Sequence, residues 1–184
     1  MPLRRRENMA HGHKTFFGTT ARVMAFLGAF LLFTLFEYAF RPEMAPFVNG
    51  TMTVRPAAQL VSLLSPSEEV RAHGDRIQSN LAYIRVAQGC EGIEVMLLFV
   101  AAMIGASMSW RRRAVGCLAG VTVIYVFNLL RVAGLWFCAR YWPSHFEAMH
   151  VIVGQTVIIV VAVLLFAAMA SGRLFIGRPR ESRA

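Results

Sequence analysis

"AVGCLAGVTVIYVFNLLRVAGLWFC", residues Ala114–Cys138, decides the fold. It carries one charge, Arg131. It is also longer than the roughly 20 apolar residues that a bilayer core of about 30 Å asks of a helix. Working outward, three further apolar runs occupy residues 22–40, 91–110 and 150–171. Hydrophobic residues make up 57% of the chain, too many for an ordinary soluble domain. The expected fold is an all-α integral membrane protein with about four transmembrane helices, one membrane domain over residues 1–184. Residues 1–21 form a head, 41–89 a small cap between the first and second spans, and 172–184 a tail.

The formal charge of +9 raises the question of nucleic acid. The basic residues flank the spans and do not share one face, so they read as topology signals, and no nucleic-acid partner is expected. Arg4, Arg5, Arg6, Lys14 and Arg22 lie on one side with Arg111, Arg112, Arg113 and the tail "GRLFIGRPRESRA". The other side holds Arg41, Arg55, Arg71, Arg76, Arg85 and Arg140, thinly spread and nearly balanced by Glu43, Glu68, Glu69 and Asp75. The denser side is cytoplasmic by the positive-inside rule. Both termini are then expected in the cytoplasm, with the 41–89 cap outside. The first span follows the basic head "MPLRRRENMAHGHK". Its apolar run exceeds a signal-peptide core and no A-x-A site follows, so an uncleaved anchor is expected.

Within the cap, "PFVNGTMTV" offers an Asn-Gly pair between β-prone runs, a hairpin signal. "PAAQLVSLL" suggests a short amphipathic helix on the membrane surface. "SPSEEVRAHGDR" has Ser65 three residues before Glu68, a helix-start pattern. "LAYIRVA" is strand-like and leads into Cys90.

Depth then brings distant polar residues together. Cys90 opens the second span at its outer end. Arg131 lies about 17 residues into the third, roughly 25 Å up from the "RRR" turn. His150 opens the fourth span at the same level. An arginine inside a span needs a partner or a wet cavity. Asn128 shares its helix face, and Glu94, one turn below Cys90, is the expected counter-ion. A thiol beside an imidazole and a guanidinium suits acyl transfer through a thioester. The histidine takes the thiol proton and returns it to a leaving amine, and the arginine holds the developing oxyanion. Glu91 either faces solvent or recognises a basic group of a substrate. Gly92 keeps the wall beside the thiol low enough for a backbone to approach.

These residues resemble a known family. "RVAQGCEGIE" is similar to the cysteine segment of the exosortase/archaeosortase family, "FNLLR" to its Asn-x-x-Arg element, and "HVIVGQ" to the histidine that opens its next span. The short four-span plan looks most like the exosortase H branch. The resemblance runs from about Val86 to Gln155. It implies a membrane cysteine transpeptidase or protease with Cys90 as nucleophile, Arg131 as substrate or transition-state ligand and His150 as acid/base. The implied substrate is an exported protein with a C-terminal motif, membrane span and basic cluster. An amine or water then resolves the thioester in contact with membrane lipid. No cofactor is implied. Glu91 departs from the small or polar residues usual at its position.

Other readings compete. "HFEAMH" sets His145 and His150 five apart, a poor metal spacing, and no metal site is expected. Cys90 and Cys138 at one depth permit a quinone-coupled thiol oxidase, although no CxxC occurs. A non-catalytic scaffold of an export complex is the third reading, with Arg131 and Glu94 as a structural pair.

Overall fold

The computed structural model describes residues 3–87 and 89–171, with side chains from residue 18 onward. The expected tail, 172–184, lies outside the described residues. Helix α1 (Leu3–Ala45) runs into a π-helical segment (Pro46–Val54) and then α2 (Arg55–Leu64). Three short strands follow, β1 (Arg71–His73), β2 (Arg76–Gln78) and β3 (Tyr83–Arg85). After them come α3 (Ile93–Gly105), α4 (Trp110–Tyr141), a single turn α5 (Phe146–Ala148), a second π-helical segment (Met149–Gly154) and α6 (Gln155–Ala170).

Among the described residues three segments are long and apolar enough to cross a bilayer: Gly18–Leu64, Trp110–Tyr141 and Pro143–Ala170. Helix α3 is shorter than the expected 91–110 span. Its 13 residues rise about 20 Å, against a hydrocarbon core of about 30 Å. Both ends are cut by backbone geometry. Gly92 takes a left-handed φ of 78° at the start, and Ala106 turns extended at the end. Arg113 of the "RRR" turn closes that end: its Nε donates to the Met103 carbonyl at 3.0 Å and its Nη2 to that of Ala106 at 3.0 Å. The basic turn therefore caps a helix as well as carrying charge.

The bundle core joins Val95, Phe99 and Met103 of α3 to Ile124 of α4 and Ile158, Ala162 and Met169 of α6. Gly116 and Gly120 on α4 make room for it. A Cβ on Gly120 would overlap the Phe99 ring, and one on Gly116 the Met103 methyl. Small residues that let large ones seat are the usual device of membrane helix packing.

At one end α4 is wrapped by a lobe made of residues 46–87. Its antiparallel sheet has the order β1-β2-β3, with Ala72 opposite Ile77 and Ile77 opposite Ile84. Strand alternation turns Ile77 and Ile84 inward. They meet Ala57, Ala58 and Val61 from one face of α2, then Val132, Ala133, Leu135 and Trp136 of α4, and Cys90 itself. Directional contacts fasten the lobe to α4. Arg140 Nε donates to both Glu68 oxygens at 3.2 Å, Tyr141 Oη donates to Glu68 at 3.3 Å, and Tyr125 Oη donates to the Met52 carbonyl at 2.7 Å.

Three expectations for this lobe need correction. "PFVNGTMTV" is helical, not a hairpin: Thr53 Oγ1 returns to the Val48 carbonyl at 3.0 Å, five residues back, and Val48, Thr53 and Val54 are buried on the inner side. The hairpin falls instead at Gly74-Asp75, where His73 pairs with Arg76 and Gly74 has φ 59°. "SPSEEV" forms one 3-10 turn at Pro66–Glu68, and Glu69 at φ 46° ends it before β1. Helix α2 exists and is amphipathic, but the sheet and α4 cover its apolar side.

Candidate active site

Cys90 sits in the short link between β3 and α3, its amide donating to the Ala87 carbonyl at 3.1 Å. Its residue exposure is 8%, so the thiol is enclosed by the lobe core. The Sγ lies 2.9 Å from His150 Nε2. His150 belongs to the π-helical turn before α6, and Phe146 stacks on its ring at 5.8 Å and 17°. Such widened turns re-aim a side chain without ending the helix.

Asn128, wholly buried on α4, ties the site together. Its Nδ2 donates to the Cys90 carbonyl at 3.1 Å, and its Oδ1 accepts from Arg131 Nη1 at 3.4 Å. Residues three apart share a helix face, so one turn of α4 presents both groups. The positive charge of the Arg131 guanidinium acts on the Cys90 thiol from this position, favouring its thiolate. Its Nε is buried without a partner. Cys90, Asn128, Arg131 and His150 thus come from a loop, one helix and a π turn, and the structure brings them together.

The supporting residues are placed differently. Gly92 does not leave room for a substrate backbone: a Cβ there would lie 2.9 Å from Asn128 Cγ, so the space is taken by Asn128. Glycine is required there twice over, by that contact and by the positive φ. Glu94 is not the counter-ion of Arg131. It faces α1, where Arg41 Nη2 lies 3.5 Å from its Oε1, and the same arginine pairs with Glu37. Glu91 does not face solvent: it is 9% exposed, and its Oε2 has no partner.

The charge environment of the thiol is mixed. Burial pushes the Cys90 pKa up, the Arg131 charge pulls it down, and the Glu91 carboxylate pushes it up again. The net direction is upward, so the resting form is the neutral thiol. Activation then falls to proton transfer. With the ring proton on Nδ1, His150 Nε2 is an acceptor within reach of the S–H.

Beside Arg131 an apolar cavity of about 300 Å³ opens between α4 and α6, lined by Leu130, Gly134, Met149 and Val153, with Gly154 at its edge. A Cβ on Gly154 would fall 2.7 Å from Arg131 Nε, so this glycine lets the arginine lie flat against α6. That role, and those of Arg41 and Phe146, escaped the sequence reading. The Glu37–Arg41 spacing of four was its one available signal. Among the described residues no group of three or more His, Cys, Asp or Glu side chains could hold a metal ion. The Cys138 thiol donates to the Trp142 carbonyl at 3.6 Å, so it and Cys90 engage different partners.

Neither the curated proteins nor the solved structures contain a match to the chain. A family model described as "Transmembrane exosortase (Exosortase_EpsH)" matches residues 13–167, which include every residue of the cluster. With that match over most of its length, the chain belongs to the transmembrane exosortase family.

Proposed function

We propose that this protein is a cysteine transpeptidase or protease that removes the C-terminal sorting tail of exported proteins at the outer rim of the bacterial inner membrane. The observation that carries the reading is the 2.9 Å contact between Cys90 Sγ and His150 Nε2, with Arg131 held beside Cys90 through Asn128. The 46–87 lobe faces the periplasm or exterior, and both termini are cytoplasmic.

The chemistry follows from the cluster. The substrate's tail helix packs against the bundle, and the apolar cavity beside Arg131 takes residues next to the scissile peptide. His150 removes the thiol proton as Sγ attacks the carbonyl carbon. Arg131, whose Nε is still unpaired, donates to the oxyanion as it forms. Collapse of the tetrahedral adduct breaks the C–N bond, and the tail amine leaves with the proton held by His150. An amine or water then attacks the thioester. The lobe core over Cys90 limits water, which favours transfer over hydrolysis.

The test is chemical trapping. A tail-bearing substrate mixed with the purified protein should form an adduct at Cys90 that is cleaved by hydroxylamine, and Cys90→Ala should form none. Tail removal by Cys90→Ala at the wild-type rate would overturn the reading.

A further inference from the structure

The apolar cavity beside Arg131 is a trough with helical walls. Phe127, Leu130 and Gly134 of α4 form one side, and Met149, Val153 and Val157 of the π turn and α6 form the other. On each side the residues recur every three or four positions, so each wall is a single helix face about 10–12 Å long. That length takes about two turns of a third helix. Toward the start of α4 the trough closes, where Ile124 and Ile158 join the bundle core and Gly116 faces Met169. It is open at the side. Leu130, Val153 and Val157 keep 51%, 42% and 46% of their surface exposed, and they lie on segments long and apolar enough to span the bilayer. A partner already in the membrane can therefore enter sideways.

Height and chemistry identify that partner. Arg131 stands about 30 Å along α4 from Trp110, close to the thickness of a bilayer core. A tail helix that crosses the bilayer beside α4 brings its outer end, and the peptide just before it, to the level of Arg131. Among the described residues that line the trough, Arg131 has the one polar side chain, and its Nε is without a partner. A lipid acyl chain offers nothing to that donor. A chain passing from an extended stretch into a helix still carries free carbonyls that accept from it. Gly134 adds room for a backbone to come close, because a Cβ there would meet nothing within 4 Å. The groove between α1, α3 and α4, at Met96 and Val100, is also apolar, but no residue of the Cys90, Arg131 and His150 cluster lines it.

We propose that the trough between the outer halves of α4 and α6 is the docking track of the substrate's tail helix, which enters sideways from the bilayer and crosses α4 at Gly134. The proposal rests on the transpeptidase reading, which supplies the tail-bearing substrate, and it adds the face of the bundle and the residue that sets the fit. About the first two turns of the tail lie in the trough. The extended residues before them pass Arg131 on the way to Cys90, and the rest of the tail runs on in lipid, outside the closed part of the α4–α6 contact. Gly134 is a positioning residue: the side chain it lacks is what lets the tail lie close to α4.

The test is site-directed photocrosslinking in full-length Cys90→Ala protein, which leaves the substrate uncut. Benzoylphenylalanine is placed at Leu130 or Val157 in the trough, and at Met96 or Val100 in the other groove. Each protein is reconstituted in vesicles with a tail-bearing substrate, irradiated, and its adducts mapped by mass spectrometry. Adducts from both trough positions to the first turns of the tail, about tenfold or more above those from Met96 and Val100, support the track. Equal yields, adducts from the α3 positions alone, adducts with phospholipid alone, or no adduct from any position overturn it. Thioester trapping at Cys90 in the wild-type protein is scored separately. A thioester without trough adducts sinks the track and leaves the transpeptidase reading; trough adducts without a thioester do the reverse. Gly134→Leu then fills the track from a position that touches nothing else. It should raise KM for tail removal about tenfold with kcat little changed, as loss of substrate binding does, and Gly134→Ala should fall between. The thermal midpoint and the rate of Cys90 alkylation should stay at wild-type values. An unchanged KM in Gly134→Leu, or a loss carried by kcat and a falling midpoint, overturns the role of Gly134.

Discussion

The two ends of the bundle are held together by different physics. At the end away from the lobe, Phe99 and Met103 press into notches left by Gly120 and Gly116, and Arg113 is used to cap α3. At the lobe end, Asn128 bonds the Cys90 carbonyl and Arg131, His150 meets the thiol, and polar donors are left unpaired. One end spends its residues on packing. The other tolerates unsatisfied groups, which natural proteins keep mainly where a ligand completes them. The difference marks the lobe end as the place where a ligand would complete unpaired groups.

The largest expected effect breaks the lobe end alone. Cys90→Ala should lower tail removal by about a thousandfold or more, as loss of a nucleophile does elsewhere, while the thermal midpoint stays close to wild type. Arg131→Gln should lower it by about a hundredfold, the scale of one oxyanion donor. Comparable activity losses from Gly120→Leu, with the protein still folded, would erase the contrast between the ends.

Asn128→Ala comes next and reaches both activity and stability. It strips the partner from the Cys90 carbonyl and frees Arg131 from its tether. A buried group left unpaired costs on the order of 1–3 kcal/mol. A thermal midpoint drop with a matching loss of thiol protection against alkylation is the expected pair of readouts. Gly120→Leu should cost a similar 1–3 kcal/mol, from overpacking against Phe99. The rate of Cys90 alkylation should hardly change, because the two ends share no packing cluster.

How much of this was legible beforehand follows the same division. Long apolar runs and single charges reveal depth, so Cys90, Arg131 and His150 could be brought to one level from sequence alone. Asn128 was visible as the i−3 neighbour of Arg131. Pairings across helices were not visible. Glu94 fits either Arg131 or Arg41 by depth, and only the way α3 turns toward α1 chooses Arg41. Gly92 and Gly154 could be seen as small residues, but not as the positions where Asn128 and Arg131 need the space. The lobe was least legible. Asn49-Gly50 carries the stronger hairpin signal by composition. Yet burial of Val48, Thr53 and Val54 keeps that stretch helical and leaves the turn to Gly74-Asp75.

The thiol's titration sharpens the contrast by sign. Burial and Glu91 raise the Cys90 pKa and Arg131 lowers it. Alkylation of Cys90 should therefore accelerate with pH through a midpoint above that of an exposed cysteine. Arg131→Gln should move the midpoint further up, and Glu91→Gln should move it down. Shifts in the opposite directions would mean that these charges do not face the sulfur.

The smallest effect belongs to the lobe surface. The hydrogen bond from Arg85 holds the Asp75 carboxyl below its ordinary pKa. A carboxyl whose folded pKa is depressed binds fewer protons folded than unfolded. Its stabilising contribution is therefore full above the unfolded value of about 4 and disappears as pH falls through the lower folded value. Arg85 is two-thirds exposed, so solvent screens the pair, and Asp75→Asn at neutral pH should cost only about 0.5 kcal/mol. The Val86 amide bond to the Asp75 carbonyl, which aligns the chain entering Cys90, is unaffected by that substitution. Stability should thus fall slightly while Cys90 reactivity stays constant. If Asp75→Asn instead changed thiol reactivity as much as Asn128→Ala does, the lobe sheet would be steering the nucleophile and not merely covering it.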